Sequence, residues 1–151
     1  MGQDLDELRA ALAGVRASVL RKVAMISDAD ARRSPVPSGT SLAGLLQHLT
    51  YVESRWFEEV VAGGTATRGL RSMLVDPSVS LRALRSEYRA ACAACAASDA
   101  VLDGVGRDSL VTRHGKTRTV ESVMIHVIEE TARHAGHADI IREQIDGRTG
   151  R

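Results

Sequence analysis

The sequence has few aromatic residues, few cysteines and no charge excess of either sign. Its 151 residues include one tryptophan, one phenylalanine and two tyrosines. All-β cores are rich in aromatic and β-branched residues, so this composition argues against an all-β protein. The two cysteines, Cys92 and Cys95, are too few for the disulfide framework of a small secreted domain. We therefore expect a fold that depends neither on an aromatic-rich core nor on disulfide bonds.

Long apolar runs are absent as well. No stretch approaches the roughly 20 apolar residues of a membrane span. Lys and Arg number 20 against 19 Asp and Glu, whereas proteins that bind nucleic acid normally carry a clustered basic excess. The N-terminus, with Asp4, Asp6 and Glu7, is too acidic for a signal peptide. We predict a cytoplasmic protein with one domain over residues 1–151 that binds neither nucleic acid nor membranes.

Alanine is abundant, and four stretches show the apolar period of amphipathic helices. These stretches run from about residue 4 to 26, 41 to 62, 77 to 103 and 119 to 147. Thr40 or Ser41 is the expected N-cap of the second helix, Pro77 the expected start of the third and Thr119 the expected N-cap of the fourth. Glycines follow each of these three helices, as is typical of helix ends.

The connectors between the predicted helices are long, at roughly 14 residues each, against two to eight in most bundles. The first, residues 28–40, is rich in Pro, Ser and Gly and is expected to be irregular. In the third, residues 109–113 and 116–118 flank His114-Gly115, which predicts a small β-hairpin. The sequence therefore predicts an all-α four-helix bundle, with connectors that permit a crossover topology.

Two titratable residues interrupt the apolar face of the fourth helix. On a helical projection, Glu130 and His134 fall within the stripe of valine and isoleucine side chains. A carboxylate buried alone would protonate or find a partner, and a divalent cation satisfies a carboxylate and an imidazole together. His48, at the border of the second helix's apolar stripe, is the natural third ligand. Such a His–Glu–His set fits the three-ligand pattern of catalytic zinc sites.

Other interpretations of this helix stay open. Glu130 and His134 could form an ion pair that an arginine such as Arg142 completes, without a metal. His137, at the edge of the stripe, could replace Glu130 as a ligand or orient another ligand. His114 and His126 are expected to face solvent.

Glu53 and the cysteines also lie on predicted inward faces. Glu53 falls within the second helix's apolar stripe, so its carboxylate needs a partner. We favour a salt bridge to an arginine, and the alternative is that Glu53 acts as a catalytic base. Cys92 and Cys95 lie in mid-helix, away from the helix N-terminus that lowers the thiol pKa in redox dithiols. We expect both cysteines to be packed core residues.

Several segments resemble a known family. They are VPSGTSL (36–42), LLQHL (45–49), VESRWF (52–57) and EETARHAGHAD (129–139), followed by Arg142-Glu143. In this order they resemble the DinB-like superfamily, in its single-domain actinobacterial branch, over nearly the whole chain. The resemblance implies a four-helix bundle with up-down-down-up connections, often as a homodimer.

The resemblance also implies a metal site. Members of the superfamily hold a divalent metal through one histidine of the second helix and two fourth-helix residues four positions apart, here His48, Glu130 and His134. Glutamate at position 130, the first of the two fourth-helix residues, resembles the pattern of the mycothiol S-transferases and of the metal-binding domain of mycothiol-dependent maleylpyruvate isomerase. Zinc is the first choice for such a mixed N/O site, with nickel, cobalt or manganese as alternatives.

The implied chemistry is a thiol S-transfer. A bound cation lowers the pKa of a mycothiol-type thiol, and the thiolate attacks a small electrophile. Arg55, Arg82 and Arg142 are candidates for holding carboxylates of the thiol or of the substrate. Two alternatives remain: a metal-binding stress protein without turnover, and a helical interaction module in which Glu130 and His134 form a structural pair.

Overall fold

The computed structural model describes residues 3–97 and 106–150. In that part of the chain, four long helices form the bundle, and a short helix and a hairpin lie in the connectors. The elements are α1 (Gln3–Lys22), α2 (Asp28–Arg32), α3 (Leu42–Glu53) with a π-helical continuation (Ser54–Val61), α4 (Leu81–Ala97), β1 (Leu110–Arg113), β2 (Lys116–Thr119) and α5 (Val120–Asp146). The prediction of a helical fold with a small hairpin is confirmed.

The helices pack around two apolar clusters. Helix α5 contacts both α1 and α3, and α3 also contacts α4. The first cluster includes Leu42, Leu46, Leu49, Leu84, Tyr88 and Ile141. The second includes Leu12, Phe57, Val120, Met124 and Val127. Because α3 and α5 share this interior, polar residues on their facing sides are brought together.

Two expected helix caps are present. Ser41 Oγ accepts a hydrogen bond from the Gly44 amide at 3.1 Å and caps α3. Thr119 Oγ1 does the same for the Ser122 amide at 3.1 Å and caps α5. Gly147, in the left-handed region at φ 75°, ends α5 as predicted.

Helix α1 ends at Lys22, four residues before the predicted end. The chain turns there because Met25 adopts a left-handed conformation, with φ 50°. The Arg142 guanidinium donates to the carbonyls of Lys22 and Ala24 at 2.8 Å each and to that of Met25 at 3.2 Å. Arg142 therefore holds this turn, which gives no support to the hypothesis that it binds a ligand.

The start of the third long helix also differs from the prediction. Asp76 Oδ1 accepts from the Ser78 amide at 2.8 Å and makes a turn, so α4 begins at Leu81 instead of Pro77. The first-turn amide of Leu81 donates to the Asp28 carboxylate at 3.0 Å, and Asp28 lies in the short, unpredicted α2. Residues 98–103 of the predicted helix lie outside the described part.

The second predicted helix is continuous, but its last two turns are π-helical. At the change of pitch, Ser54 Oγ donates to Glu58 at 2.5 Å and accepts from the amides of Thr67 and Arg68. The following connector is thereby tied to the helix. Within residues 3–97 and 106–150, no helix has the length and apolarity that crossing a bilayer requires.

Replacing Arg142 with methionine should lower the free energy of unfolding by about 2–4 kcal/mol, because buried carbonyls lose their donors. Denaturant unfolding followed by circular dichroism measures the change. The control is Arg82→Met, since Arg82 is exposed on α4. Equal stabilities for the two variants would contradict the role of Arg142.

Candidate metal centre

His48, Glu130 and His134 converge between α3 and α5. One possible ligand atom from each lies within 4.8 Å of the others. The imidazole centroids of His48 and His134 are 5.0 Å apart, and His134 Nε2 lies 3.5 Å from Glu130 Oε2. With metal–ligand bonds of about 2.0–2.2 Å, tetrahedral ligand atoms lie about 3.3–3.6 Å apart. The separation of His134 Nε2 and Glu130 Oε2 matches this range, and small side-chain rotations would bring His48 into it. The group could therefore bind a metal ion.

The His48 ring is oriented by a main-chain acceptor. Its Nδ1 lies 3.0 Å from the Arg71 carbonyl oxygen. Since a carbonyl only accepts, Nδ1 carries the proton and Nε2 keeps its lone pair. Histidine ligands of metals commonly have this second hydrogen bond, which sets both the tautomer and the ring orientation.

The connector that supplies this carbonyl is seated on α3. The Gln47 amide Nε2 donates to the carbonyls of Ser72 at 2.7 Å and Leu74 at 3.1 Å. Gly44 lets the connector approach, because a Cβ at that position would collide with the Met73 carbonyl. The position of the His48 ring thus depends on contacts far apart in sequence.

Glu130 divides its two oxygens between different partners. Oε1 accepts from Arg133 Nη1 at 2.7 Å, and Oε2 faces His134. Arg133, one turn further along α5, is therefore the arginine beside Glu130, in place of the Arg142 considered from the sequence. One carboxylate oxygen remains directed at the histidines.

His137 contacts His134 on its other side. The Nδ1 atoms of the two rings are 3.4 Å apart. With His134 Nε2 facing Glu130, its Nδ1–H would donate to His137, which matches the orienting role considered for His137. Burial lowers the pKa of His134 below its usual value, and the nearby His48 adds to the effect. Both causes favour the neutral imidazole, the form that binds metals.

The remaining inward-facing residues lie away from this group. Glu53, 1% exposed, accepts from Arg16 Nε at 2.8 Å and Nη2 at 2.6 Å, which is the favoured salt bridge and gives no support to a catalytic base. Cys95 is buried and Cys92 half-buried. Burial raises the pKa of Cys92 to about 12, so its thiol stays protonated near neutral pH.

A cavity of about 480 Å³ opens beside His48 and Glu130. Its walls come from α3, the π-helical segment, the hairpin and α5. The apolar and aromatic side chains among them are Tyr51, Val52, Trp56, Val60 and Val111. A volume of this size suits a small-molecule ligand.

Trp56 lies at the centre of the polar contacts in this cavity. The guanidinium carbons of Arg113 and Arg118 are each 5.8 Å from the centroid of its ring. The His126 ring meets it edge-on, with the two ring centroids 4.7 Å apart. His126 is therefore half-buried, and the expectation that it faces solvent was wrong. His114 is exposed as expected, at the wall of the cavity.

The arginines considered as ligand-binding residues lie in different parts of the structure. Arg55 lines the cavity, with Nη2 at 3.3 Å from His114 Nε2. Arg82 is exposed on α4 and is not part of the cavity wall. Sequence analysis missed the cationic wall formed by Arg71, Arg113, Lys116 and Arg118. Strand alternation offered a partial signal, because residues 116 and 118 share one face of β2.

The model of a family described as Mycothiol-S-transferase matches residues 7–147. A crystal structure of a conserved protein from Enterococcus faecalis is similar in fold, with a TM-score of 0.70. The two sequences are 15% identical, and the alignment covers 95% of this chain and 98% of that one. No curated protein matches the sequence.

Protein purified without a histidine tag should bind about one zinc ion per chain, because three donors converge at a single point. His48→Ala should abolish stoichiometric binding, whereas His137→Ala should weaken it by about 10- to 100-fold. Isothermal titration with zinc, together with elemental analysis, measures both effects.

His126→Ala is the matched control, since His126 is a half-buried histidine of α5 outside the group. Loss of zinc from the His126 variant, or full binding by a folded His48 variant, would contradict the assignment.

Proposed function

The chain belongs to the mycothiol-S-transferase family, and we propose that it is a divalent-metal-dependent S-transferase that joins a mycothiol-type thiol to small electrophiles. The observation that carries the proposal is the His48–Glu130–His134 group at the wall of a ligand-sized cavity. We extend the proposal to a cytoplasmic homodimer, following the superfamily that the sequence resembles.

The donor set suits zinc. Two imidazole nitrogens and one carboxylate oxygen form the three-ligand set that leaves a coordination position open for substrate. Nickel, cobalt and manganese also accept such donors, so metal availability would decide among them. The cation, when bound, supplies the positive charge that lowers the pKa of a thiol toward neutral pH.

The protein's own residues hold the donors in place before substrate arrives. Arg71 fixes the His48 ring through its carbonyl, and Arg133 orients the Glu130 carboxylate by donating a hydrogen bond to Oε1. His137 orients the His134 ring through the contact between their Nδ1 atoms. Donors held by their neighbours lose little further freedom on binding, which is the basis of a preorganised site.

The nucleophilic thiol comes from a small molecule. The two cysteines of the chain lie on α4, and neither lines the cavity. The raised pKa of Cys92 also disfavours its thiolate. The apolar side chains around Trp56 line part of the cavity and offer a surface for the body of an electrophile.

The transfer forms one carbon–sulfur bond. With a halogenated electrophile, the halide leaves with the bonding electron pair and the thiol proton passes to solvent. With an activated alkene, the sulfur adds to one carbon and a proton adds to the other. Both routes give a thioether and need no oxidant or reductant.

Glu130→Ala should lower kcat/KM for conjugation by about 100-fold or more, because the metal site loses a ligand. The assay uses tag-free, zinc-loaded protein, mycothiol and a panel of electrophiles, with the thioether product detected by mass spectrometry. Glu129→Ala is the control, since Glu129 is the adjacent, exposed carboxylate of α5.

Three outcomes separate the candidate functions. Conjugation that depends on Glu130 and not on Glu129 supports the transferase. Zinc binding without conjugation of any electrophile would indicate a metal-binding protein without turnover. A protein that binds no metal and loses stability in the Glu130 variant would leave only the structural role of the Glu130–His134 pair.

A further inference from the structure

The cavity concentrates positive charge on one side. Five cationic side chains line it, and Glu130 is the one carboxylate among its lining residues. The cations are Arg55, Arg71, Arg113, Lys116 and Arg118. The whole chain has a net charge of only +1, so this local excess is not general basicity. A cavity lined by one sign of charge attracts ligands of the opposite sign.

Few carboxylates neutralise this wall. Glu59 forms ion pairs with two of the arginines: Oε1 lies 3.0 Å from Arg113 Nη2, and Oε2 lies 3.8 Å from Arg55 Nη1. Within residues 3–97 and 106–150, the structure shows no ion pair for Arg71, Lys116 or Arg118. The charge of these three side chains is thus available to an anionic ligand.

Trp56 sets the position of the two arginines closest to it. Arg113 and Arg118 each place their guanidinium carbon 5.8 Å from the indole ring, within the range of a cation–π contact. Arg113 comes from β1 and Arg118 from β2, so the hairpin holds both beside the same ring. The Arg113 Nε–H is buried and has no acceptor among the described residues. An anionic oxygen in the cavity would satisfy such a donor.

We propose that this cavity binds a small carboxylate through Arg118 and Arg113 beside Trp56, and that the carboxylate belongs to the electrophile. The second part rests on the proposed function. The donors for a metal-held thiol lie at the His48–Glu130 end of the cavity, which leaves the hairpin wall for the acceptor. The expected substrate class is therefore an electrophilic organic acid with an apolar or unsaturated body that packs on Trp56.

Trp56 is the one tryptophan of the chain, so its fluorescence reports directly on this site. Succinate should change the emission in a saturable way that weakens with salt, whereas the neutral isostere succinamide should not. Arg118→Gln should weaken succinate binding by about tenfold, and Arg118→Glu should weaken it further. Arg89→Gln, a change at an exposed arginine of α4, is the control and should leave binding unchanged.

Turnover assigns the carboxylate to the electrophile. With mycothiol fixed, the ratio of kcat/KM for chloroacetate over chloroacetamide should fall by about tenfold in Arg118→Gln. In this reaction the carbon–sulfur bond forms, chloride leaves with the electron pair of the carbon–chlorine bond, and the thiol proton passes to buffer. A second pair, N-acetylcysteine and its amide with chloroacetamide fixed, tests whether the thiol instead provides the anion.

The outcomes separate the two proposals. Succinate binding that depends on Arg118, without turnover of either acceptor, supports the carboxylate site and contradicts the transferase. Equal binding of succinate and succinamide, or no effect of Arg118→Gln, overturns the carboxylate site whatever the turnover. If Arg118→Gln changes the kcat/KM ratio only for N-acetylcysteine over its amide, the carboxylate belongs to the thiol, and its assignment to the electrophile is overturned.

Discussion

The site depends on the convergence of three polar side chains across the interface of α3 and α5. Two imidazoles and a carboxylate in a packed interior are unfavourable unless each polar atom has a partner. The structure provides partners for the outer atoms through the Arg71 carbonyl, Arg133 and His137. The inner atoms of His48, Glu130 and His134 face one another. A shared cation would satisfy all three at once.

The connectors turn this group into a site with a ligand-binding cavity. The chain between the π-helical segment and α4 is fastened to α3 through Gln47 and thereby orients His48. The hairpin, on the other side, carries Arg113 and Arg118 to Trp56. The candidate metal ligands His48 and Glu130, apolar side chains and a cationic wall therefore line one cavity. This arrangement would suit the proposed reaction between a thiol and an acidic electrophile.

Helical periodicity was sufficient for the bundle, and the segments flanking His114-Gly115 for the hairpin, because both follow from local spacing. Periodicity also indicated the candidate ligands, which the tertiary fold brings together. Glu130 and His134 stand out by interrupting an apolar stripe, and Thr119 and Ser41 by preceding one. The end of α1 was not predictable, since it depends on Arg142, which lies about 120 residues further along the chain. The cavity wall was missed for the same reason: Arg71 and Arg118 belong to connectors whose folded path depends on tertiary contacts. The contacts of Trp56 with cations likewise follow only from the position of the hairpin.

Anomalous diffraction at the zinc absorption edge, on crystals of tag-free protein, tests the central claim most directly. We predict one strong peak between His48 Nε2, Glu130 Oε2 and His134 Nε2, with His137 outside the bonding distance of a ligand. A peak at another location would contradict the account. So would His48, Glu130 and His134 linked only by hydrogen bonds in crystals grown with zinc.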